Sequence, residues 1–476
     1  ATGRVSADDT EIFLSQSDIA CEVNALFIID TSGSMDGRVD TQAPWDAGQT
    51  YSGTCDTSRL YVSTPGVTPD CGTAISFAKA DNFCQASTDR LEASGSYTDS
   101  LQAWDSSRER WLAVNRVRDG QPVDCRADGD GQGDISGRNA GDGTYAANGD
   151  DGPWSSAAAN QVGWPGRRVT LSDGNWLNWS NGPATDRRAK LDIVKDVTKT
   201  VLNSLDNINV GLMQFNRDTL DGGPVIQAVS DVAASRDDLN ATIDALVADG
   251  QTPLSETLYE AGQYYASRLV DFGNQDASKR SVAASRLNGS AASQGYRSPI
   301  TEPWQQNHIV LLTDGEPTND TAANAKIPGL PGFAAATGTA TCTGTGDGAC
   351  LADMAAYLKN HDLLASLDLD QNVITHTIGF DVDLPLLKTT AERGGGQYLL
   401  ANDAASLTSA ITDFVQDVRQ SAGVFAAPTI PVDKFNLTRN SDAVYVSLFE
   451  PTNSFHWPGN VKRYQTSAET VDGSVI

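Results

Sequence analysis

Two short apolar runs, each ending in an aspartate, constrain this chain more than any other feature. Asn24-Ala-Leu-Phe-Ile-Ile-Asp30 and His308-Ile-Val-Leu-Leu-Thr-Asp314 lie far apart in the sequence. Neither alternates apolar with polar residues, so neither reads as a strand with one wet face. A short continuous apolar run suits a strand buried on both faces of a parallel sheet. Each run closes on a carboxylate, and ligands of open α/β sheets gather outside the carboxyl ends of the strands.

The rest of the chain supplies the partners that such strands need. Leu191, Val194, Val197, Val201 and Leu205 recur at helical spacing. Residues 209–215 and 225–232 read as strands, and Leu239, Ile243 and Leu246 mark a helix. Thr252-Pro253 opens another helix, with Leu254, Leu258, Ala261 and Tyr265 on one face. Further on, a helix at 354–364, a strand at 373–379, a short helix at 384–392 and a strand at 397–400 precede a last helix carrying Leu407, Ile411, Phe414 and Val418. Strands alternating with helices predict an α/β doubly wound, mostly parallel sheet over residues 22–420.

Three stretches interrupt this pattern. Residues 36–185 are rich in Gly, Asp and Ser and hold seven of the nine Trp and four cysteines, and a structureless loop of that length is improbable. They predict a large disulfide-braced insertion; 273–300 and 315–350 read as smaller ones. Residues 1–21 are a polar, extended lead-in. After residue 421 a Pro-containing linker leads into 443–449, which alternates like a half-exposed strand, and 421–476 reads as the start of a β-domain in a fragment of a longer protein.

Charge and cysteine usage narrow the function. Lys plus Arg number 34 and Asp plus Glu 61, a formal net charge of −27. Such an acidic chain is poorly suited to a nucleic-acid backbone or an anionic bilayer. The longest apolar run near the start, residues 25–29, is far too short to span a membrane. The seven cysteines include Cys55, Cys71, Cys84 and Cys125 in the large polar insertion and Cys342 and Cys350 in another polar loop. Their spacing lacks CxxC pairs, and disulfides in an oxidising compartment are the better reading. Cys342 is expected to pair with Cys350 and the four insertion cysteines among themselves, leaving Cys21 as the odd thiol.

The chemistry concentrates on oxygen ligands. Asp30-Thr31-Ser32-Gly33-Ser34 offers a carboxylate and hydroxyls after a buried strand; Thr252 adds a hydroxyl at a helix start and Asp314 a second carboxylate at a strand end. Two carboxylates with hydroxyls suit Mg²⁺, and Mn²⁺ or Ca²⁺ share the preference for oxygen. Singly each residue has an ordinary role: Ser32 or Ser34 as a helix cap, Thr252 as an N-cap before Pro253, Asp314-Gly315 as a turn. Their order, and their places at strand or helix ends, favour the common site. No Ser-His-Asp or Cys-His arrangement is evident, so a binding module rather than an enzyme is expected. A weaker signal is Asp128-Gly-Asp130-Gly-Gln132-Gly133, a partial calcium loop whose twelfth position is Asn139 rather than Glu. Trp154, Trp164, Trp176 and Trp179 are expected to form the small core of the insertion.

Asp30-Thr31-Ser32-Gly33-Ser34, Gly250-Gln251-Thr252-Pro253-Leu254 and Leu312-Thr313-Asp314-Gly315 resemble the three parts of the metal-ion-dependent adhesion site of von Willebrand factor type A domains. The resemblance covers 22–420 less the insertions. It implies that Ser32, Ser34 and Thr252 touch the metal, while Asp30 and Asp314 act directly or through water. A narrower resemblance, to the PilY family of type IV pilus tip adhesins, rests on Gly174-Asn175-Trp176-Leu177-Asn178-Trp179 and on Trp457-Pro458-Gly459-Asn460-Val461-Lys462-Arg463-Tyr464, which is similar to that family's entry to a β-propeller. It implies a secreted, metal-dependent adhesion module at the pilus tip or bacterial surface, reached through the periplasm. Its role would be surface attachment and pilus assembly or retraction (twitching motility). Its partners would be minor pilins or pilus tip proteins and a host or abiotic surface ligand contacted through a carboxylate. The alternatives are a regulatory or chaperone subunit of an enzyme complex and a structural surface protein. The large insertion, tethered beside the metal, is expected to form part of the partner-binding or partner-shielding surface.

Overall fold

The computed structural model describes residues 23–421, apart from 106, 109, 128–167, 206–207, 218–220, 275–279, 288–293 and 368, and the strand segments between 425 and 475. The lead-in, Cys21, the partial calcium loop, Trp154, Trp164 and the Trp457 turn lie outside the described residues.

Six strands form the central sheet: β1 (Asn24–Ile29), β2 (Asn209–Gln214), β3 (Val225–Asp231), β4 (Asn307–Thr313), β5 (Ile374–Phe380) and β6 (Gly395–Ala401). Their spatial order is β3-β2-β1-β4-β5-β6. All neighbouring pairs are parallel except β2 with the edge strand β3. The two Asp-terminated runs become the central neighbours β1 and β4, with Phe27 opposite Val310. The chain fills one side of β1 with β2 and β3, then crosses to the other side with β4. The crevice between the carboxyl ends of β1 and β4 is therefore the topological switch point of the sheet, where doubly wound folds place ligands.

Helices α1 (Lys190–Asn203), α2 (Val232–Asp244), α3 (Leu254–Tyr265), α4 (Leu351–Asn360), α5 (Pro385–Gly394) and α6 (Ala404–Ser421) complete this domain. Successive side chains of a strand point to opposite faces. Leu26 and Ile28 of β1 join a core with Leu254, Leu258, Met354 and Leu387, whereas Phe27 between them meets Phe414 of α6 edge-on at 5.8 Å. Helix α3 differs from a simple amphipathic helix: all its residues are buried, Glu256 and Glu260 included. The stretches read as smaller insertions cover its outer side. Tyr296, Ala323, Ile327 and Phe333, from 294–337, are all within the core at 0–2% exposure.

The same sheet buries two histidines. His308 Nδ1 and His376 Nε2 lie 3.2 Å apart on β4 and β5, and Phe414 packs against both rings. Burial pushes His308 down to about 3, reinforced by His376, and burial pushes His376 down to about 4. A folded-state pKa below the unfolded value of 6.5 means that the neutral pair is the stable one. Its contribution is fully present above pH 6.5 and is lost as pH falls toward the folded values. His376→Phe is expected to flatten the acid side of the melting-temperature profile below that pH; an unchanged slope would refute the role of the pair.

Residues 38–189 leave and rejoin the domain on a two-stranded antiparallel stem, Arg38–Thr41 with Asp186–Ala189. Thr41 Oγ1 accepts from Ala404 N at 2.9 Å and Gln42 Nε2 donates to Asp403 Oδ2 at 3.1 Å, which ties the stem to the start of α6. Beyond the stem, a four-stranded antiparallel sheet has the order Ile75–Ala78, Arg59–Ser63, Val169–Asp173, Ser96–Asp99. A three-stranded sheet has Arg110–Ala113, Leu101–Asp105 and Val123–Cys125. Their shared core holds Leu60, Phe77, Leu91, Tyr97, Val123 and Leu171. Disulfides join Cys342 to Cys350, the pair expected from the sequence, and Cys55 to Cys71 and Cys84 to Cys125, which settles a connectivity that the sequence left open within the insertion; all three suit an oxidising compartment.

The Gly174–Trp179 motif has a structural explanation. Asp173 caps the helix Gly174–Ser180 through Asn175 N at 2.7 Å. Trp176 and Trp179 are buried. Asn178 exchanges two hydrogen bonds with the backbone of Cys55, each 2.9 Å.

The chain divides into two compact units, 23–416 and a second one holding the residues from 417 onward. In the second, strands Phe425–Thr429, Ala443–Phe449 and Gly459–Gln465 form an antiparallel sheet. Among the described residues, no helix is long and apolar enough to cross a membrane.

Candidate metal centre

Asp30 follows β1 directly and is fully buried. Its Oδ1 accepts the backbone N–H of Ser32 at 2.7 Å, and its Oδ2 accepts the Thr313 hydroxyl at 2.5 Å and Asp314 N at 3.4 Å. Burial pushes its carboxyl up to about 6, against the pull of these hydrogen bonds, with the Asp314 charge adding to the rise. A buried carboxylate in this state gains from a cation nearby.

The loop after Asp30 carries the hydroxyls to Asp314. Ser32 Oγ and Ser34 Oγ are 2.8 Å apart, and Ser34 Oγ donates to Asp314 Oδ1 at 2.5 Å. Backbone bonds bring in the third loop: Asp249 N donates to Thr31 O at 2.7 Å and Gly33 N to Gly250 O at 3.1 Å. Gly250 makes this approach at φ +95°, a region that a side chain would disfavour.

Thr252 sits two residues further on and is 5% exposed. It is not the helix cap that its place before Pro253 suggested. Helix α3 begins at Leu254 with Pro253 as the cap residue, and Asp320 accepts the N–H groups of Ser255 and Glu256 at 2.8 and 3.1 Å. Thr252 instead pairs through its backbone with Thr318. Asp320 satisfies the helix donors from another loop. Among the described residues, the Thr252 hydroxyl has no hydrogen-bond partner in the chain.

Asp30, Ser32, Ser34, Thr252 and Asp314 therefore come from three loops at one switch point. The donor set is all oxygen, its carboxylates are buried, and one hydroxyl is unused by the protein. It fits a hard divalent cation with water completing its shell. Among the described residues, one other group of close ligand atoms, Cys84 with Asp124 and Cys125, has its sulfurs consumed by the Cys84–Cys125 bridge.

Sequence reading missed Lys190, Thr313 and Asp381. Lys190 Nζ lies 3.1 Å from Asp314 Oδ2 and 3.1 Å from Asp381 Oδ2. Burial draws the Lys190 ammonium down, but the hydrogen bonds and charges of Asp314 and Asp381 together hold it above the usual range. A signal for Asp381 was present: β5 is a third buried strand followed by an aspartate. For Lys190 there was none, because it belongs to a helix start 124 residues from Asp314.

A profile of a domain of unknown function, DUF8355, matches residues 63–182, inside the insertion and covering only part of the chain. No curated protein sequence matches the chain significantly. Among solved structures, the chain is similar to a von Willebrand factor type A protein from Catenulispora acidiphila at 14% identity, covering 58% of this chain and 61% of that one with a TM-score of 0.29. It is also similar to the conserved hypothetical protein BatB from Bacteroides thetaiotaomicron, at 11% identity over 49% of this chain and 90% of that one, TM-score 0.29. A third likeness is to the pilus adhesin SpaC from Lactobacillus rhamnosus GG, at 15% identity over 60% of this chain and 34% of that one, TM-score 0.30. Likenesses this distant carry no argument about what this chain binds, and the architecture rests on its own strand order.

Proposed function

We propose that residues 23–416 are a von Willebrand type A-like binding module, not an enzyme, that attaches to a partner through a divalent cation at the sheet switch point. The observation that carries this reading is the convergence of Ser32, Ser34 and Asp314, linked oxygen to oxygen, above the fully buried Asp30. Ser32, Ser34 and Thr252 would hold Mg²⁺, or Mn²⁺ or Ca²⁺, with Asp30 and Asp314 acting directly or through water. When bound, the ion supplies an electrophilic centre that accepts a carboxylate from a partner. The chain's own residues do the rest: Thr313 orients Asp30, Asp320 leaves Thr252 available, and Gly250 lets two loops meet.

The disulfides and the motifs quoted above support a secreted adhesin acting at a type IV pilus tip or bacterial surface, in attachment and in pilus assembly or retraction. Minor pilins or other tip proteins, and a host or abiotic surface, are the partners that fit this reading. A pull-down from bacterial envelope extracts in Mg²⁺ or in EDTA tests it. Capture of a defined protein only with Mg²⁺ is the expected result; equal capture in EDTA would overturn the metal-dependent reading.

The insertion is part of the same proposal. Its stem starts beside the site, where Lys190 N donates to Gly37 O at 2.9 Å. Disulfide bracing fixes such a loop in one shape and lowers the ordering cost of binding. Replacing residues 43–184 with a short Gly/Ser linker, with the stem strands retained, is expected to leave cation binding intact and abolish capture. Undiminished capture would make the insertion a passive outgrowth.

A further inference from the structure

We propose that Lys190 is a built-in counter-ion of the cation site, which holds one oxygen of Asp314 away from the metal and sets a deliberately weak affinity. This rests on the metal reading above.

The two oxygens of Asp314 are divided between two neighbours. Oδ1 accepts Ser34 Oγ at 2.5 Å, on the side of the hydroxyl cluster, while Oδ2 faces Lys190 Nζ at 3.1 Å. The Asp314 side chain is fully buried, and Lys190 is only 14% exposed. Such a pair is screened far less than a surface ion pair. Lys190 therefore cancels much of the charge that Asp314 would offer a cation, and it leaves that carboxylate one oxygen to present. Asp30 remains as the uncompensated charge of the five-residue set.

The ammonium is held between two carboxylates, and the backbone that carries it is pinned as well. Asp381 Oδ2 grips it from the end of β5 at 3.1 Å. Asp381 adopts φ +59°, uncommon for a residue with a side chain, and its N–H is fixed by Ala401 O at 2.7 Å. The Lys190 backbone is fixed by Gly37 O, at the root of the insertion stem. Lys190 thus joins three loops at the carboxyl edge of the sheet: the one after β1, the one after β4 and the one after β5. It is a positioning residue, since it acts on the metal through Asp314.

A weakly held cation with little carboxylate charge around it keeps its appetite for a further anionic ligand. Removing the ammonium should tighten the metal and blunt that appetite. Titration of the full chain with Mn²⁺, followed by calorimetry, tests this with wild type, Asp30→Ala, Lys190→Met and Lys190→Arg. Lys190→Met keeps the aliphatic stem and deletes the charge; its Mn²⁺ affinity is expected to rise about tenfold or more, given a unit charge removed from a few ångströms away. Lys190→Arg keeps the charge and should stay within about threefold of wild type. The rise in melting temperature on adding Mn²⁺ should also be larger for Lys190→Met than for wild type. Lys190→Gln serves as the neutral variant if the Met variant fails to give a native circular dichroism spectrum. No Mn²⁺ binding by wild type would overturn the metal reading, and this inference with it. Binding by wild type and its loss in Asp30→Ala, with affinity unchanged in the neutral Lys190 variant, would overturn the counter-ion role alone.

Discussion

Asp30→Asn is expected to abolish the stabilisation of this protein by Mg²⁺ without lowering its stability in EDTA. Asp30 is the deepest charge of the site and has no cationic partner among the described residues; burial is the largest influence on its carboxyl. In the metal-free fold that charge is a cost, so the neutral Asn, which keeps an acceptor oxygen for Ser32 N or Thr313, should melt at or above the wild-type temperature. With Mg²⁺ present the sign reverses. A ligand that binds only the folded state stabilises it by about 2.7 kcal/mol when present at roughly 100 times its Kd, and the variant forfeits that gain. Deleting the charge should weaken cation binding by roughly 100-fold or more. Thermal melts of both proteins in EDTA and in Mg²⁺ decide the matter, and an equal Mg²⁺-dependent shift in the two would remove Asp30 from the site.

The second large effect is expected at Glu260, outside the metal centre. Its carboxylate is fully buried in α3 and accepts the N–H groups of Asp271 and Gly273 on one oxygen and of Phe272 on the other, all at 3.0 Å. Tyr296 OH donates to it at 2.6 Å, and Ser281 Oγ lies 2.7 Å from that hydroxyl. Glu260→Ala strands two buried and one partly buried backbone donor and a buried phenol together, and a loss of about 3–5 kcal/mol follows from breaking a buried charged network. Glu260→Gln keeps an acceptor and should cost less.

The same residue gives a pH signature. Burial pushes Glu260 up to about 7, against the hydrogen bonds from Tyr296 and the three N–H groups. A raised folded-state pKa means the fold takes up the proton more readily than the unfolded chain, whose value is 4.5. The associated stabilisation is present below 4.5 and is lost as pH rises through about 7. Urea midpoints of wild type should therefore fall more between pH 5 and pH 8 than those of Glu260→Gln. A wild-type slope matching that of the variant would contradict this origin. The histidine pair acts with the opposite sign on the acid side, so each slope is read as the difference from its own variant.

The elements of the sheet domain were legible because their signals are local. A run such as Ala25–Ile29 has no polar residue to expose, and Leu191, Val194, Val197 and Val201 lie on one stripe whatever the rest of the chain does. The observed strands and helices fall within a few residues of those expected, except that α2 begins at Val232, a turn or more ahead of the first apolar marker at Leu239. The covering of α3 was not legible, since a polar Ser/Ala-rich stretch gives no sign that Tyr296 within it fills a core. The true cap of α3 was not legible for a related reason: Thr before Pro is a locally sound cap, and the acceptor that takes that role, Asp320, stands 65 residues from Ser255 in sequence.

By itself the sequence determined that this chain builds a mostly parallel α/β sheet, that Asp30 and Asp314 end two of its buried strands, and that Ser32, Ser34 and Thr252 carry hydroxyls in the loops beside strand or helix ends. Only the tertiary structure decided that β1 and β4 are neighbours across the switch point, that Asp320 releases Thr252, and that Lys190 claims an oxygen of Asp314. Periodicity and chain reversal are written in adjacent residues, whereas a buried ion pair or a borrowed cap depends on which distant segments meet, and that is set by the packing of the whole core.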